Sequence, residues 1–280
     1  MKLPATAFSI KAYSTLLRAV IIALLCSPAA LAQNNCDDVG ATLNPAEPTG
    51  ITSVEIVKKA AAREDLFRQA RMNYAYVEDV TVQTLKGSQV DGKYRQVRAI
   101  TYDDKGHRVE NITYAPQSTL TRIDLPQKDF DDIRNHVIFP LATDDLRRYN
   151  VLYSGQQHLD EIDTYVFEMK PINVENGQRY FQGRIWIDAR DLLIVKTCGM
   201  DVAPGRHGLL QKHTLHMVTY REQIDGQYWF PTYSRADEVL PVVTGPIHVR
   251  EIIKYTNYQR FGSGAKSAVK GEPSPEPVRK

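Results

Sequence analysis

The stretch from Phe181 to Gly199 constrains the fold of this chain more than any other. Arg184-Ile185-Trp186-Ile187 is rich in β-formers, Asp188-Ala189-Arg190-Asp191 is a polar turn, and Leu192-Leu193-Ile194-Val195-Lys196-Thr197 runs back. The turn has no Asn-Gly or Asp-Gly pair, so a four-residue loop is expected instead of a two-residue one. Ile185, Ile187, Leu193 and Val195 supply what a sheet core needs. Asp188, Arg190 and Asp191 read as solvated turn residues.

The same strand-and-turn grammar fills most of the chain. Tyr74 to Leu85 alternates, Asp91-Gly92 reads as a hairpin turn, and Tyr94 to Tyr102 returns. Asp103-Asp104-Lys105-Gly106 makes the next turn and Arg108 to Tyr114 follows. Pro116 to Pro140 breaks the period, with a short helix expected at Lys128–Ile133 that puts Phe130 and Ile133 on one face and the acids on the other. Tyr149 to Tyr153 and Glu161 to Pro171 resume strand. After the central hairpin come Thr214 to Gln223, Asp225-Gly226 as a turn, Tyr228 to Val239, and Ile247 to Tyr258. Pro231 cannot donate to a ladder, so a bulge or edge is expected beside it. Roughly nine to eleven antiparallel strands result. Nothing alternates strand with helix, which excludes a doubly wound parallel sheet.

One long helix precedes these strands. Thr52-Ser53-Val54-Glu55 is a capping box. Val54, Val57, Ala61, Leu66 and Phe67 fall near one face, with Lys58, Lys59, Arg63 and Glu64 toward water, as far as about Arg71. This helix and the mid-chain one are the obvious cover for a curved sheet's apolar face.

The amino-terminal segment reads as a signal peptide. Lys2, Lys11 and Arg18 give a basic region, Ala19 to Leu25 an apolar run, and Ala30-Leu31-Ala32 a cleavage site. The run is too short to cross about 30 Å of hydrocarbon as a helix. Lipidation at Cys26 is disfavoured because Leu25 precedes it. Loss of three cations takes the formal charge from +2 to −1, which argues against a nucleic-acid binder. Cys36 and Cys198 remain. In an oxidising compartment they either pair or stay as an exposed and a buried thiol. The expected organisation is signal peptide 1–32, flexible leader 33–51, a folded domain over 52–261, and a Gly/Ser/Pro/Lys tail over 262–280 that is expected to be disordered.

An exported chain, an early helix, a meander and a mid-chain helical insert are followed by Tyr165-Val166-Phe167-Glu168-Met169, Arg184-Ile185-Trp186-Ile187-Asp188 and Leu192-Leu193-Ile194-Val195-Lys196. With Ile224-Asp225-Gly226-Gln227-Tyr228-Trp229-Phe230-Pro231, this pattern resembles the LolA/LolB-like superfamily of periplasmic lipoprotein carriers over roughly residues 52–261. The resemblance implies a mainly β (α+β) open half-barrel whose apolar concave face, covered by helices, holds acyl chains. Family carriers latch their lid with an arginine. Arg71, Arg95 and Arg98 lie in the corresponding region, and the latch is assigned to none of them. The long tail and near-neutral charge depart from the carriers.

Catalytic and metal patterns are weak by comparison. Asp103-Asp104, Asp131-Asp132 and Asp144-Asp145 are adjacent acids, typical of turns and helix starts. His207, His213 and His216 with Cys198 and Asp201 could supply zinc ligands, but His213 and His216 leave opposite faces of a strand. There is no G-x-S-x-G elbow, and Gly262-Ser263-Gly264-Ala265-Lys266 lacks phosphate-loop spacing. Asn111-Ile112-Thr113 fits a glycosylation sequon, relevant only in a eukaryotic secretory route. Fifteen tyrosines, most of them in strands, are sheet-packing residues, some suited to the rim of an apolar groove.

The expectation is therefore a non-enzymatic periplasmic protein, with no cofactor, that binds an acyl chain, a lipoprotein or another hydrophobic ligand. Its expected lining is Tyr165, Phe167 and Met169; Ile185 and Ile187; Leu193 and Val195; Val218 and Tyr220; Ile253 and Tyr255. A one-residue slip in any strand would invert that strand's set. The alternative is an interaction or sensor module with the same fold and a closed core.

Overall fold

A computed structural model describes residues 36, 42–134, 136, 140–203, 215–242 and 244–261. The signal-peptide reading, the carboxy-terminal tail, His207 and His213 lie outside the described residues. Ten strands make one antiparallel sheet: β1 (Tyr74–Lys86), β2 (Gln89–Tyr102), β3 (Arg108–Tyr114), β4 (Tyr149–Leu159), β5 (Ile162–Pro171), β6 (Tyr180–Asp188), β7 (Ile194–Val202), β8 (Met217–Gln223), β9 (Trp229–Val242) and β10 (Gly245–Arg260). Their order is β3-β2-β1-β10-β9-β8-β7-β6-β5-β4, so β3 and β4 are the edges and the sheet stays open. The expected mainly β, open architecture is what forms.

Every neighbour pair but one joins strands that are consecutive in the chain. β1 runs beside β10, with Tyr74 opposite Arg260 and Leu85 opposite His248, and this long-range ladder joins the two strand blocks.

Helix α1 (Ser53–Arg71) begins at the expected capping box. Thr52 Oγ1 accepts from the Glu55 amide at 3.2 Å, and the Thr52 amide donates to the Glu55 carboxylate at 3.0 Å. Its buried stripe differs from the expected one. Ile56, Ala60, Ala61, Glu64 and Phe67 are buried, while Val54 and Leu66 are exposed. Glu64 turns inward because Arg221 of β8 meets it at 2.8 Å, both side chains being 1% exposed. Helix α2 (Gln127–Arg134) forms as expected, but Asp129 is buried with Ile133. A 3-10 turn, η1, occupies Thr143–Arg148 and holds Asp144-Asp145 in its first turn.

Two expected turns are corrected. The β1–β2 hairpin turns at Gly87-Ser88, where Lys86 pairs with Gln89, and Asp91-Gly92 lies inside β2. Gly92 is there for close approach. A Cβ would sit 2.7 Å from Thr84 Oγ1 and 3.1 Å from the backbone of Thr119 and Leu120. In the central hairpin Asp188 is buried, because its carboxylate accepts from the Arg190 amide at 2.7 Å and shapes the turn. Pro231 does sit at a bulge: Tyr220 pairs with Tyr233 and Arg221 with Pro231, which leaves Thr232 extra.

The helix-covered face holds two large apolar clusters. In the first, Ile56, Ala60 and Ala61 of α1 pack on Tyr165, Phe167, Met169, Tyr180, Phe181, Ile185, Ile187 and Ile194. In the second, Ile133 of α2 joins Tyr76, Val80, Val82, Ile100, Leu240, Ile247, Val249, Ile253 and Tyr255. On the opposite face Cys36 and Cys198 form a disulfide, with Cα atoms 5.4 Å apart. Beside it the Lys196 ammonium lies 4.6 Å from the Trp186 ring centroid and 5.2 Å from that of Tyr220.

Candidate ligand-binding site

Alternation along β2 puts Tyr94, Gln96, Arg98 and Ile100 on the helix-covered face. Register then sets Val80 opposite Gln96 and Ile112 opposite Arg98, so β1, β2 and β3 form one floor. Helix α2 lies over it. Between floor and roof is a cavity of about 330 Å3 lined by Val80, Tyr94, Gln96, Arg98, Ile112, Gln127, Phe130, Ile133 and Arg134. That volume is at the lower end of ordinary ligand pockets.

The roof is fixed mostly by polar contacts at its margins. Arg134 Nε lies 3.3 Å from Glu110, and the Arg134 carbonyl accepts from Arg108 at 2.9 Å. On the other side Asp132 pairs with Arg179. The apolar contact is the Phe130 ring, 4.9 Å from that of Tyr94. Few buried groups hold α2, whereas a whole stripe holds α1.

Beside the cavity a buried charge network crosses the strands. Arg98 pairs with Glu78 and, at 3.2 Å, with Glu110; Arg108 reaches Glu78 at 2.9 Å. Arg98 and Glu78 side chains are each 4% exposed. Arg98 Nε is buried with no hydrogen-bond partner among the described residues. Burial pushes the Tyr94 hydroxyl up in pKa against the pull of Arg98 and Arg134.

A second polar group lies near α2. His136 Nδ1 is 3.2 Å from Asp201, which Arg179 approaches at 3.8 Å. Burial pushes the His136 imidazole down, but Asp201, Glu251 and Glu78 together outweigh it and the net shift is upward. Burial raises the Glu251 carboxyl to about 7, with His136 opposing and Asp129, Asp201 and Glu78 adding to the rise.

The expected lining residues do not share one place. Tyr165, Phe167, Met169, Ile185 and Ile187 are together on the helix-covered face, filled in by α1. Leu193 is buried just before β7. Val195, Val218 and Tyr220 cluster with Val166, Trp186 and Cys198 on the opposite face. For Val195 the cause is a bulge, since Ile187 pairs with Ile194 and Trp186 with Lys196 and Val195 is left extra; Val218 and Tyr220 lie there because they pair with Cys198 and Lys196. Ile253 and Tyr255 are on the helix-covered face in the cluster that contains Val80 and Ile133, next to the cavity.

Strand alternation alone could have picked out Tyr94, Gln96 and Arg98, since a charged residue in register with Ile100 marks a polar spot on an inward face. Nothing in the sequence could have set α2 above them. Of the zinc candidates, Cys198 is consumed by the disulfide and His216 pairs with Glu238 at 2.9 Å. Among the described residues no group of three or more ligating side chains is assembled. Of the three arginines in the latch region, Arg71 is on α1 itself and Arg95 pairs with Asp79 at 2.7 Å. The sheet arginine bonded to α1 is Arg221, which sequence reading had not singled out.

No family model matches the chain, and no curated protein matches it significantly. Among solved structures, it is similar to a DUF1329 family protein from Desulfovibrio piger, with 17% identity, 79% of this chain and 96% of that one covered, and a TM-score of 0.41. It is also similar to a LolA superfamily protein from Nitrosomonas europaea, at 13% identity, 76% and 94% coverage and a TM-score of 0.30. The MucA/MucB complex of Pseudomonas aeruginosa matches at 10% identity, 72% and 100% coverage and a TM-score of 0.19. At these identities and TM-scores the matches are likenesses only and carry no argument about role. Among the described residues no helix is long and apolar enough to cross a membrane, which says nothing of strands.

Proposed function

We propose that this is an exported periplasmic binding protein that holds a hydrophobic ligand, an acyl chain or a lipoprotein's acyl group, under α2, by binding and not by catalysis. The observation that carries the reading is the 330 Å3 cavity between β1–β3 and α2, with Val80, Tyr94, Ile112, Phe130 and Ile133 giving it apolar walls. The export part rests on the basic, apolar and A-x-A segments of residues 1–32.

Ile253 and Tyr255 stay in the proposed ligand set because they pack beside Val80. Tyr165, Phe167, Met169, Ile185 and Ile187 would meet a ligand only with α1 displaced, and Val195, Val218 and Tyr220 only from the opposite face. Native mass spectrometry of the exported protein tests the proposal. Co-purifying lipid supports it; a clean apoprotein that also ignores a fluorescent fatty acid rejects it.

A second reading, a protein-interaction module without lipid cargo, is favoured by the edge strand β3. Its Val109, Ile112 and Tyr114 are 46%, 55% and 45% exposed beside an unpaired backbone edge. Clean apoprotein together with β-strand capture at β3 would favour that reading.

A further inference from the structure

The cavity is not uniformly apolar, and its polar part is one-sided. Arg98 and Arg134 line it directly, together with Gln96 and Gln127, and no carboxylate is among its described lining residues. The carboxylates stand behind the arginines. Arg98, Arg108 and Arg134 share Glu78 and Glu110, three guanidiniums to two buried or half-buried acids. A third acid, Asp131, reaches Arg134 at 3.7 Å from a position 44% exposed to water, where its hold is weak. Arg98 is 3% exposed and its guanidinium meets Glu78 and Glu110, while the Arg134 side chain is 41% exposed at the rim.

We infer that the cavity takes a free fatty acid of medium length, with its carboxylate at Arg98 and Arg134 and its chain against Val80, Tyr94, Ile112, Phe130 and Ile133. The inference rests on the binding reading above and narrows it to one ligand class. A carboxylate competes with the water-exposed Asp131 for Arg134 and meets the positive wall that Arg98 and Arg134 share. Gln96 adds an amide to the same wall, and the Gln127 amide donates to Asp131 at 3.0 Å. The size agrees, since a cavity of about 330 Å3 is on the scale of one medium-length acyl chain. The several chains of a lipoprotein anchor, whose carbonyls are tied up as esters and amides, lack the charge and exceed the volume.

The test is calorimetric titration of the exported full-length protein with decanoate, decanol and decyltrimethylammonium, which share a tail and differ in headgroup. Decanoate is expected to bind at least about tenfold tighter than decanol, to weaken with added salt, and to exceed the cationic analogue by more. Arg134→Gln should lose about tenfold for decanoate and leave decanol unchanged. Arg98→Gln should do the same; if it fails to fold, Arg134→Gln, whose residue is half-exposed, carries the test alone. Equal affinity for decanoate and decanol, or an Arg134→Gln variant that weakens both alike or neither, overturns the carboxylate inference and leaves hydrophobic binding standing. Failure of all three probes to bind the folded protein overturns both.

Discussion

The two ends of the helix-covered face have the same sheet beneath them and opposite interiors. Under α1, Tyr165, Phe167, Met169, Ile185 and Ile187 meet Ile56, Ala60 and Ala61 in a filled apolar cluster, and the one buried ion pair described there, Glu64 with Arg221, ties helix to sheet. Under α2, the floor carries Glu78, Arg98 and the nearby Glu110 and Arg108, the roof is short, and space is left over. Helix length explains much of the difference. Nineteen residues give α1 a stripe of five buried positions, while the eight of α2 bury two. A short amphipathic helix cannot fill the width of several strands, so what it leaves is a cavity edged by charge.

The largest expected effect lies at the packed end. Arg221→Met strands a carboxylate that burial already raises in pKa despite Arg221, and should lower stability by about 4 kcal/mol in urea unfolding. Adding Glu64→Leu should recover most of that loss. If the double variant is no better than the single, the pair is not what fastens α1.

Paired truncations sharpen the contrast. Phe167→Ala should cost about 3 kcal/mol, since the side chain is 1% exposed in a full core. Phe130→Ala, half-buried beside existing space, should cost about 1 kcal/mol. Equal losses would mean that the two ends are packed alike.

Charge near α2 gives a pH signature. Glu251 titrates near 7 in the folded protein against 4.5 for a free glutamate, so it holds a proton that the unfolded chain releases. Stability therefore falls as pH rises from about 4.5 to about 7, by on the order of 3 kcal/mol, with the loss complete above that window and absent below it. His136 adds to the same slope, because its raised pKa stabilises only while it is protonated. Glu251→Gln should flatten most of the difference between urea midpoints at roughly pH 5 and roughly pH 8. An unchanged slope would place Glu251 in contact with water.

The smallest effect is expected at Ile112, on the cavity wall and half-exposed. Ile112→Ala should change stability by less than about 0.5 kcal/mol while weakening decanoate binding a few-fold in the same titration. A stability loss as large as that of Phe130→Ala would make Ile112 part of the core.

Much of the fold was legible because it is local. The capping box at Thr52–Glu55 uses residues three apart, and the Asp103–Gly106 and Asp225–Gly226 turns depend on their own side chains. Even where a signal misled, the physics was short-range: Asp91-Gly92 has turn chemistry, but Thr84 and the Thr119–Leu120 backbone crowd Gly92 and keep it inside a strand. The candidate site was much less legible. Its expected lining assumed unbroken alternation within each strand, but Val195 is the extra residue of a bulge, and register sets Val218 and Tyr220 opposite Cys198 and Lys196 on the other face. Glu64 read as a solvent residue until Arg221, far along the chain, met it.

The Phe181–Gly199 hairpin, the capped helix and the antiparallel run of strands followed from the sequence alone, since periodicity, turn chemistry and capping act within a few residues. Three things were left to the tertiary structure: β10 laid beside β1, Cys36 bonded to Cys198 across 162 residues, and α2 set over Arg98. Each depends on contacts between distant segments, whose energy exists only once the sheet has formed.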